Sequence, residues 1–179
     1  MKDEALAARC RGLRLVVTDV DGVLTDGTVL LLPGGGEAKA FHIRDGLAVV
    51  LAHRAGLRTA LLSGRTSEAV TRRARELGVG IVRQGVSDKA AAFAEILAAE
   101  GLTPDQAAYI GDDVNDLPAM TQAGLSAAPQ DAAFEVRAQA FMVMDARGGH
   151  GCFREFVEAI LRARGEWDSL VAGVGAALP

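Results

Sequence analysis

Short apolar runs alternate along the chain with segments whose apolar positions recur at helical spacing. The runs Arg14–Asp19, Arg58–Ser63, Gly80–Gln84, Ala107–Gly111, Leu125–Ala127 and Ala140–Met144 predict buried strands. Between them, Gly46–Ala55, Ser67–Leu77, Lys89–Glu100, Asp116–Ala123 and Ala132–Arg137 predict helices. A final helix over Cys152–Arg164 has the clearest stripe: Phe153, Phe156, Val157, Ile160 and Leu161 recur on one face, and Gly165 stands at its C-cap. This order implies an α/β fold, a Rossmann-like parallel sheet with helices on both faces.

One segment breaks the alternation. Thr28–Leu32 and Ala38–Ile43 flank Pro33-Gly34-Gly35-Gly36, which reads as a β-hairpin over 28–43 with a loose glycine turn. It follows the first strand directly, so it is expected to project over that strand's end. An exposed run of Val29, Leu30, Leu31 and Leu32 invites unwanted pairing, which suggests that copies of the hairpin cover one another in an oligomer. An ordinary edge hairpin is the alternative. The expected organisation is one domain over 1–165, then a tail over 166–179 that reads as a disordered terminus.

Composition narrows the class. The chain has 179 residues, enough for one real core, and half are apolar although aromatics are scarce. A net charge of −4 argues against a nucleic-acid surface. No apolar run reaches the ~18 residues that cross a bilayer. The acidic start Met1-Lys2-Asp3-Glu4 is unlike a signal peptide. Cys10 and Cys152 have no close partner in sequence, which fits free thiols in a reducing cytoplasm.

Candidate chemistry gathers at strand ends. The first strand runs into Asp19-Val20-Asp21-Gly22, two carboxylates two residues apart. Such a pair can divide into a nucleophile that also holds metal and a general acid/base, or it can be a polar turn. An EF-hand loop is a poor fit, because Gly22 follows the second acid directly and Leu30 occupies the twelfth position. Ser63-Gly64-Arg65 ends the second strand and offers a hydroxyl and a helix N-terminus to a phosphate, or Ser63 simply caps that helix. Lys89 opens a helix where a cation opposes the dipole, a conflict that a bound anion removes, or it is simply a solvated surface lysine. Gly111-Asp112-Asp113-Val114-Asn115-Asp116 places three carboxylates within five residues, a donor set suited to Mg²⁺ or else an acidic capping loop. A parallel sheet brings all four ends to one rim.

The motif order Asp-x-Asp, Ser-Gly-Arg, Lys, Gly-Asp-Asp-x-x-Asp resembles the haloacid dehalogenase-like phosphatases. The segments Phe41-His42-Ile43-Arg44-Asp45-Gly46, Gln84-Gly85-Val86-Ser87-Asp88-Lys89 and Gly148-Gly149-His150-Gly151 with Arg154-Glu155 are similar to their capless branch, the 3-deoxy-D-manno-octulosonate 8-phosphate phosphatases. That resemblance covers about Leu13 to Gly165. It implies a Mg²⁺-dependent phosphatase with Asp19 as nucleophile and Asp21 as acid/base. Asp19, the Asp21 carbonyl and Asp112 would hold the metal, with Asp113 and Asp116 behind them. Ser63 and Lys89 would bind phosphoryl oxygens. It further implies sugar-acid contacts from Asp21, His42, Ile43, Arg44, Asp45, Gly46, Gly64, Arg65, Arg73 and Lys89, and a cytoplasmic homotetramer built through the hairpin, without nucleic-acid or membrane partners. Many members of that branch carry a basic residue where this chain has Val50. A nonulosonate 9-phosphate of the sialic-acid type therefore remains an alternative substrate. A non-catalytic tetramerising domain is the alternative outside enzymes, and a phosphate-responsive receiver domain, which would need neither Asp21 as an acid/base nor the hairpin, is another.

Overall fold

The computed structural model describes residues 2–174. Six parallel strands form one sheet in the order β5-β4-β1-β6-β7-β8. They are β1 (Leu15–Thr18), β4 (Arg58–Leu62), β5 (Ile81–Arg83), β6 (Ala107–Ile110), β7 (Leu125–Ala128) and β8 (Met142–Val143). All six runs expected to be strands lie in this sheet. Leu15 pairs with Arg58 on one side and Ala107 on the other, so the chain order reverses at β1. In such sheets the crevice outside the strands' carboxyl ends at the reversal is where ligands bind.

Alternation along β1 supplies two cores. Val16 faces a layer that includes Leu51 of α2 (Ile43–Arg54) and Phe153, Phe156 and Ile160 of α7 (Cys152–Ala163). Leu15 and Val17 face the other layer, with Phe93 and Ile96 of α4 (Lys89–Glu100) and Tyr109. Tyr109 and Phe93 meet edge to face at 5.7 Å. The remaining sheet-packed helices are α3 (Glu68–Glu76), α5 (Leu117–Met120) and α6 (Phe134–Gln139).

The hairpin is shorter than its sequence suggests. Only β2 (Leu30–Leu31) and β3 (Glu37–Ala38) pair, antiparallel. The expected second strand over Ala38–Ile43 ends early because His42 caps α2, its Nδ1 accepting from the Arg44 N–H at 3.2 Å. Helix α2 therefore begins at Ile43, not Gly46. Among the described residues this hairpin is the only sheet outside the main one, and no cap domain is inserted.

Both chain ends differ from expectation. A helix α1 (Lys2–Cys10), not foreseen, packs against α7 and buries Cys10. The expected disordered tail instead forms α8 (Trp167–Val174). Trp167 is buried there between the guanidiniums of Arg154 and Arg162, at 4.7 and 5.2 Å from its ring centre. Residues 175–179 of that tail lie outside the described residues. No described helix is long and apolar enough to cross a membrane.

Candidate active site

The site forms at the carboxyl rim where β1, β4 and β6 end. Asp19 is the first residue beyond β1, and its N–H donates to the Ile110 carbonyl at 3.0 Å, which ties it to the end of β6. Its side chain is 4% exposed. Lys89, the first residue of α4, reaches in beneath it. Its Nζ donates to Asp19 Oδ1 and to Asp116 Oδ1, both at 2.7 Å. The unfavourable place of a cation in a first helical turn is thus answered by two carboxylates. Burial pulls the Lys89 ammonium's pKa down, but Asp19 and Asp116 outweigh it and the net movement is upward.

Asp116 is the hub of this arrangement. It is fully buried, and Oδ1 also accepts the Tyr109 hydroxyl at 2.7 Å. Its Oδ2 accepts the Asp112 and Asp113 N–H groups at 3.2 and 3.3 Å, which folds the acidic loop around it. Gly111 is required here, since a Cβ would lie 2.5 Å from the Asp116 side chain. Carboxylate oxygens of Asp19, Asp112 and Asp116 lie within 4.8 Å of one another. Burial, then the two neighbouring carboxylates, pushes Asp112 up to about 8. Burial and Asp116 raise Asp19 to about 7 against the pull of Lys89.

That surplus of buried negative charge fits a divalent cation with hard oxygen preference. Asp116 has both oxygens occupied by Lys89, Tyr109 and backbone donors, so it orients the loop. Asp19 and Asp112 retain the free oxygens. Gly22 makes their approach possible: its φ is +103°, and a Cβ there would stand 2.0 Å from Asp112 Oδ2. Asp113 is exposed and its side chain caps the Val114 N–H at 2.7 Å, apart from the cluster.

Asp21 points to a different group of residues. Its Oδ2 accepts the Ser63 hydroxyl at 3.3 Å, and Oδ1 accepts the Lys39 ammonium. Ser63 is buried at the end of β4 and accepts the Arg65 N–H at 3.1 Å. Lys39 also pairs with Glu37 at 3.2 Å, and Arg65 reaches the same Glu37 at 2.7 Å. The Arg65 guanidinium, with the Lys39 ammonium beside it, holds Glu37 down at about 2. Glu37 and Lys39 were not foreseen as site residues. Their i, i+2 spacing on one face of an otherwise apolar hairpin was the available signal.

The expected sugar contacts divide. Gly64 and Arg65 lie beside Ser63. Arg73 lies 5.9 Å from the centre of the Phe41 ring and, with Lys39, Ile43 and Arg72, lines a cleft of about 450 Å³ next to Asp21's neighbours. Gly46 passes beneath Arg73, where a Cβ would come within 2.3 Å of the guanidinium, so its part is to admit that side chain. Asp45 is not in this cleft. It is buried between helices, accepts the Arg154 N–H at 2.8 Å, and caps the N-terminus of α7. Ile43, at 82% exposed, and Arg44 stand in the solvent-facing first turn of α2, so one protomer does not close them over its own acidic cluster.

A buried carboxylate over a lysine, a loop of carboxylates suited to a cation and a serine at the next strand end, on this sheet, are the arrangement of the haloacid dehalogenase-like hydrolases. The model of the haloacid dehalogenase-like hydrolases matches residues 36–124. The chain is 40% identical to 3-deoxy-D-manno-octulosonate 8-phosphate phosphatase KdsC of Haemophilus influenzae, with 88% of each chain covered. It superposes on the enzyme of that name from Yersinia pestis with a TM-score of 0.90 and 38% identity, covering 92% of this chain and 89% of the other. The Moraxella catarrhalis enzyme, solved with magnesium, phosphate and KDO, gives a TM-score of 0.91 at 35% identity, covering 93% and 96%. The chain belongs to this 3-deoxy-D-manno-octulosonate 8-phosphate phosphatase family of haloacid dehalogenase-like hydrolases.

Proposed function

We propose that the protein is a Mg²⁺-dependent phosphatase that converts 3-deoxy-D-manno-octulosonate 8-phosphate to the free sugar acid and inorganic phosphate. The observation that carries this is Asp19, held by Lys89 inside an acidic cluster that a cation would balance, in a chain so similar to enzymes of that name. Asp19, the Asp21 carbonyl and Asp112 would hold Mg²⁺, which supplies positive charge against the approach of a carboxylate to a phosphate dianion.

The chain's own residues then divide the work. An Asp19 carboxylate oxygen attacks phosphorus as the bond to the sugar C8 oxygen breaks, leaving an aspartyl phosphate. Asp21 gives its proton to that leaving oxygen. It next takes a proton from the water that attacks the aspartyl phosphate, and Asp19 is released as carboxylate. Ser63 and Lys89 bind the phosphoryl oxygens, and Lys89 leaves the Asp19–Asp116 pair only in part because one ammonium has three donors. Arg65 and Arg73 offer guanidiniums to the sugar carboxylate. The open rim and the exposed Val29–Leu32 run support a homotetramer in which hairpins cover one another and neighbours close each site.

The test is phosphate release from 3-deoxy-D-manno-octulosonate 8-phosphate and from a sialic-acid-type 9-phosphate, with Mg²⁺ and with chelator, beside Asp19→Asn. Mg²⁺-dependent release from the octulosonate ester that Asp19→Asn abolishes is expected. Preference for the nine-carbon ester would move the assignment to that substrate. Release from neither would remove the sugar-acid reading.

A further inference from the structure

Lys39 is buried to 1% side-chain exposure, although it comes from a hairpin whose neighbouring apolar residues are exposed. Its ammonium contacts two carboxylates, Asp21 and Glu37. Glu37 is itself fixed by Arg65 at 2.7 Å. A chain of alternating charge thus runs from the β4 end through β3 to the side chain of Asp21. Ordering a lysine there costs side-chain entropy, and solubility gains nothing from a buried ammonium. Both point to a role in the site.

We propose that Lys39 is a positioning residue for Asp21, with Glu37 holding Lys39 in place; this rests on the reading of Asp21 as the group that protonates the leaving oxygen. An ammonium is donor-only, so the oxygen it contacts, Oδ1, can only accept. The proton that Asp21 delivers therefore sits on Oδ2, the oxygen that faces the Ser63 hydroxyl at 3.3 Å. When Ser63 turns to a phosphoryl oxygen, Oδ2 is freed beside the phosphorus, while Oδ1 stays on Lys39. The proton passes from Oδ2 to the ester oxygen as the P–O bond breaks, and Oδ2 takes up the proton of the attacking water in the second step. Lys39 keeps its own protons throughout. Without it, Asp21 keeps only the Ser63 contact and its carboxylate is free to rotate.

This role separates from a structural one by its dependence on the leaving group. A sugar alkoxide needs a proton to leave, whereas 4-nitrophenolate does not. Lys39→Met, Glu37→Gln, Lys39→Arg and Asp21→Asn are compared with the parent on 3-deoxy-D-manno-octulosonate 8-phosphate and on 4-nitrophenyl phosphate, with melting and oligomer size measured for each. General acid catalysis contributes roughly 10²–10⁴-fold, so in kcat/KM, which reports only the steps up to the aspartyl phosphate common to both esters, Lys39→Met is expected to lose about 30–100-fold on the sugar ester and less than about 5-fold on the aryl ester. Glu37→Gln should show the same asymmetry, weaker, and Lys39→Arg should restore most of the loss. Equal losses in kcat/KM on both esters would overturn the proposal, as would an unaffected sugar-ester kcat/KM. Asp21→Asn is the reference. If it is selective for the sugar ester and Lys39→Met is not, only the positioning role of Lys39 falls. If Asp21→Asn shows no such selectivity, the assignment of Asp21 as acid falls, and this proposal with it.

Discussion

Replacing Lys89 by methionine tests the energetic centre of the site. Its ammonium stands 2.7 Å from one oxygen of Asp19 and 2.7 Å from one of Asp116, all three side chains being nearly inaccessible. At an effective dielectric of about 20, each contact carries about 6 kcal/mol of attraction before desolvation. Much of that offsets the cost of burying the ammonium. What remains after Lys89→Met is three carboxylates, Asp19, Asp112 and Asp116, within 4.8 Å of one another and no cation, a repulsion of about 3.5 kcal/mol for each charged pair at the same dielectric. Breaking a buried pair by removing one partner typically costs 3–5 kcal/mol, and that is the expected loss at pH 8 with chelator present. The loss must depend on pH. A carboxylate whose pKa is raised in the fold contributes its stability below its unfolded value, and loses it as pH rises through the folded one. Losing Lys89 raises Asp19 above its present value of about 7, so the deficit against the parent should grow above about pH 7, by at most about 1.4 kcal/mol per pH unit, where the parent's Asp19 ionises and the variant's does not. Urea unfolding at several pH values with EDTA measures this. A deficit that is flat between pH 5 and 8, or below about 1 kcal/mol at pH 8, would refute the account of Lys89 as the counter-charge of the pocket.

The metal-free parent should itself lose stability as pH rises through about 7 and about 8, the values of Asp19 and Asp112, and added Mg²⁺ should raise the melting temperature more at pH 8.5 than at pH 5.5; a pH-independent Mg²⁺ effect would contradict the cluster's assigned role. Gly22→Ala should abolish Mg²⁺ binding in calorimetry, because the new Cβ would meet Asp112 Oδ2 at 2.0 Å on a backbone with φ of +103°; an unchanged Kd would show that Asp112 is not a ligand. Leu31→Asp, at a side chain 75% exposed in one protomer, should leave secondary structure intact and dissociate the oligomer in sedimentation; a tetramer that survives would move the interface away from the hairpin.

Periodicity and motif order made most of this protein legible from its residues. The six strands and the helices between them followed from apolar spacing, because the inner strands β1, β4, β6 and β7 are largely buried on both faces and the helices on one, and burial is what the pattern encodes. Asp19, Ser63, Lys89 and Asp112 could be named because a parallel sheet delivers every strand end to one rim. Three things were decided only by the assembled structure. Asp45, read as a sugar contact, proved to cap α7, a partner 109 residues away that no local spacing reveals. Asp113 and Asp116 looked alike in sequence, yet one is exposed and the other carries four hydrogen bonds at the centre of the site, because only Asp116 lies between Lys89, Tyr109 and the loop's own N–H groups. The terminal helices α1 and α8 form because α7 is there to be packed on, and Trp167 finds its two arginines on that helix's surface. The sequence by itself set which residues are buried and which carry charge at strand ends. Which carboxylate faces a cation, which a lysine and which a helix end depends on partners brought together across the chain, and only the tertiary structure supplies them.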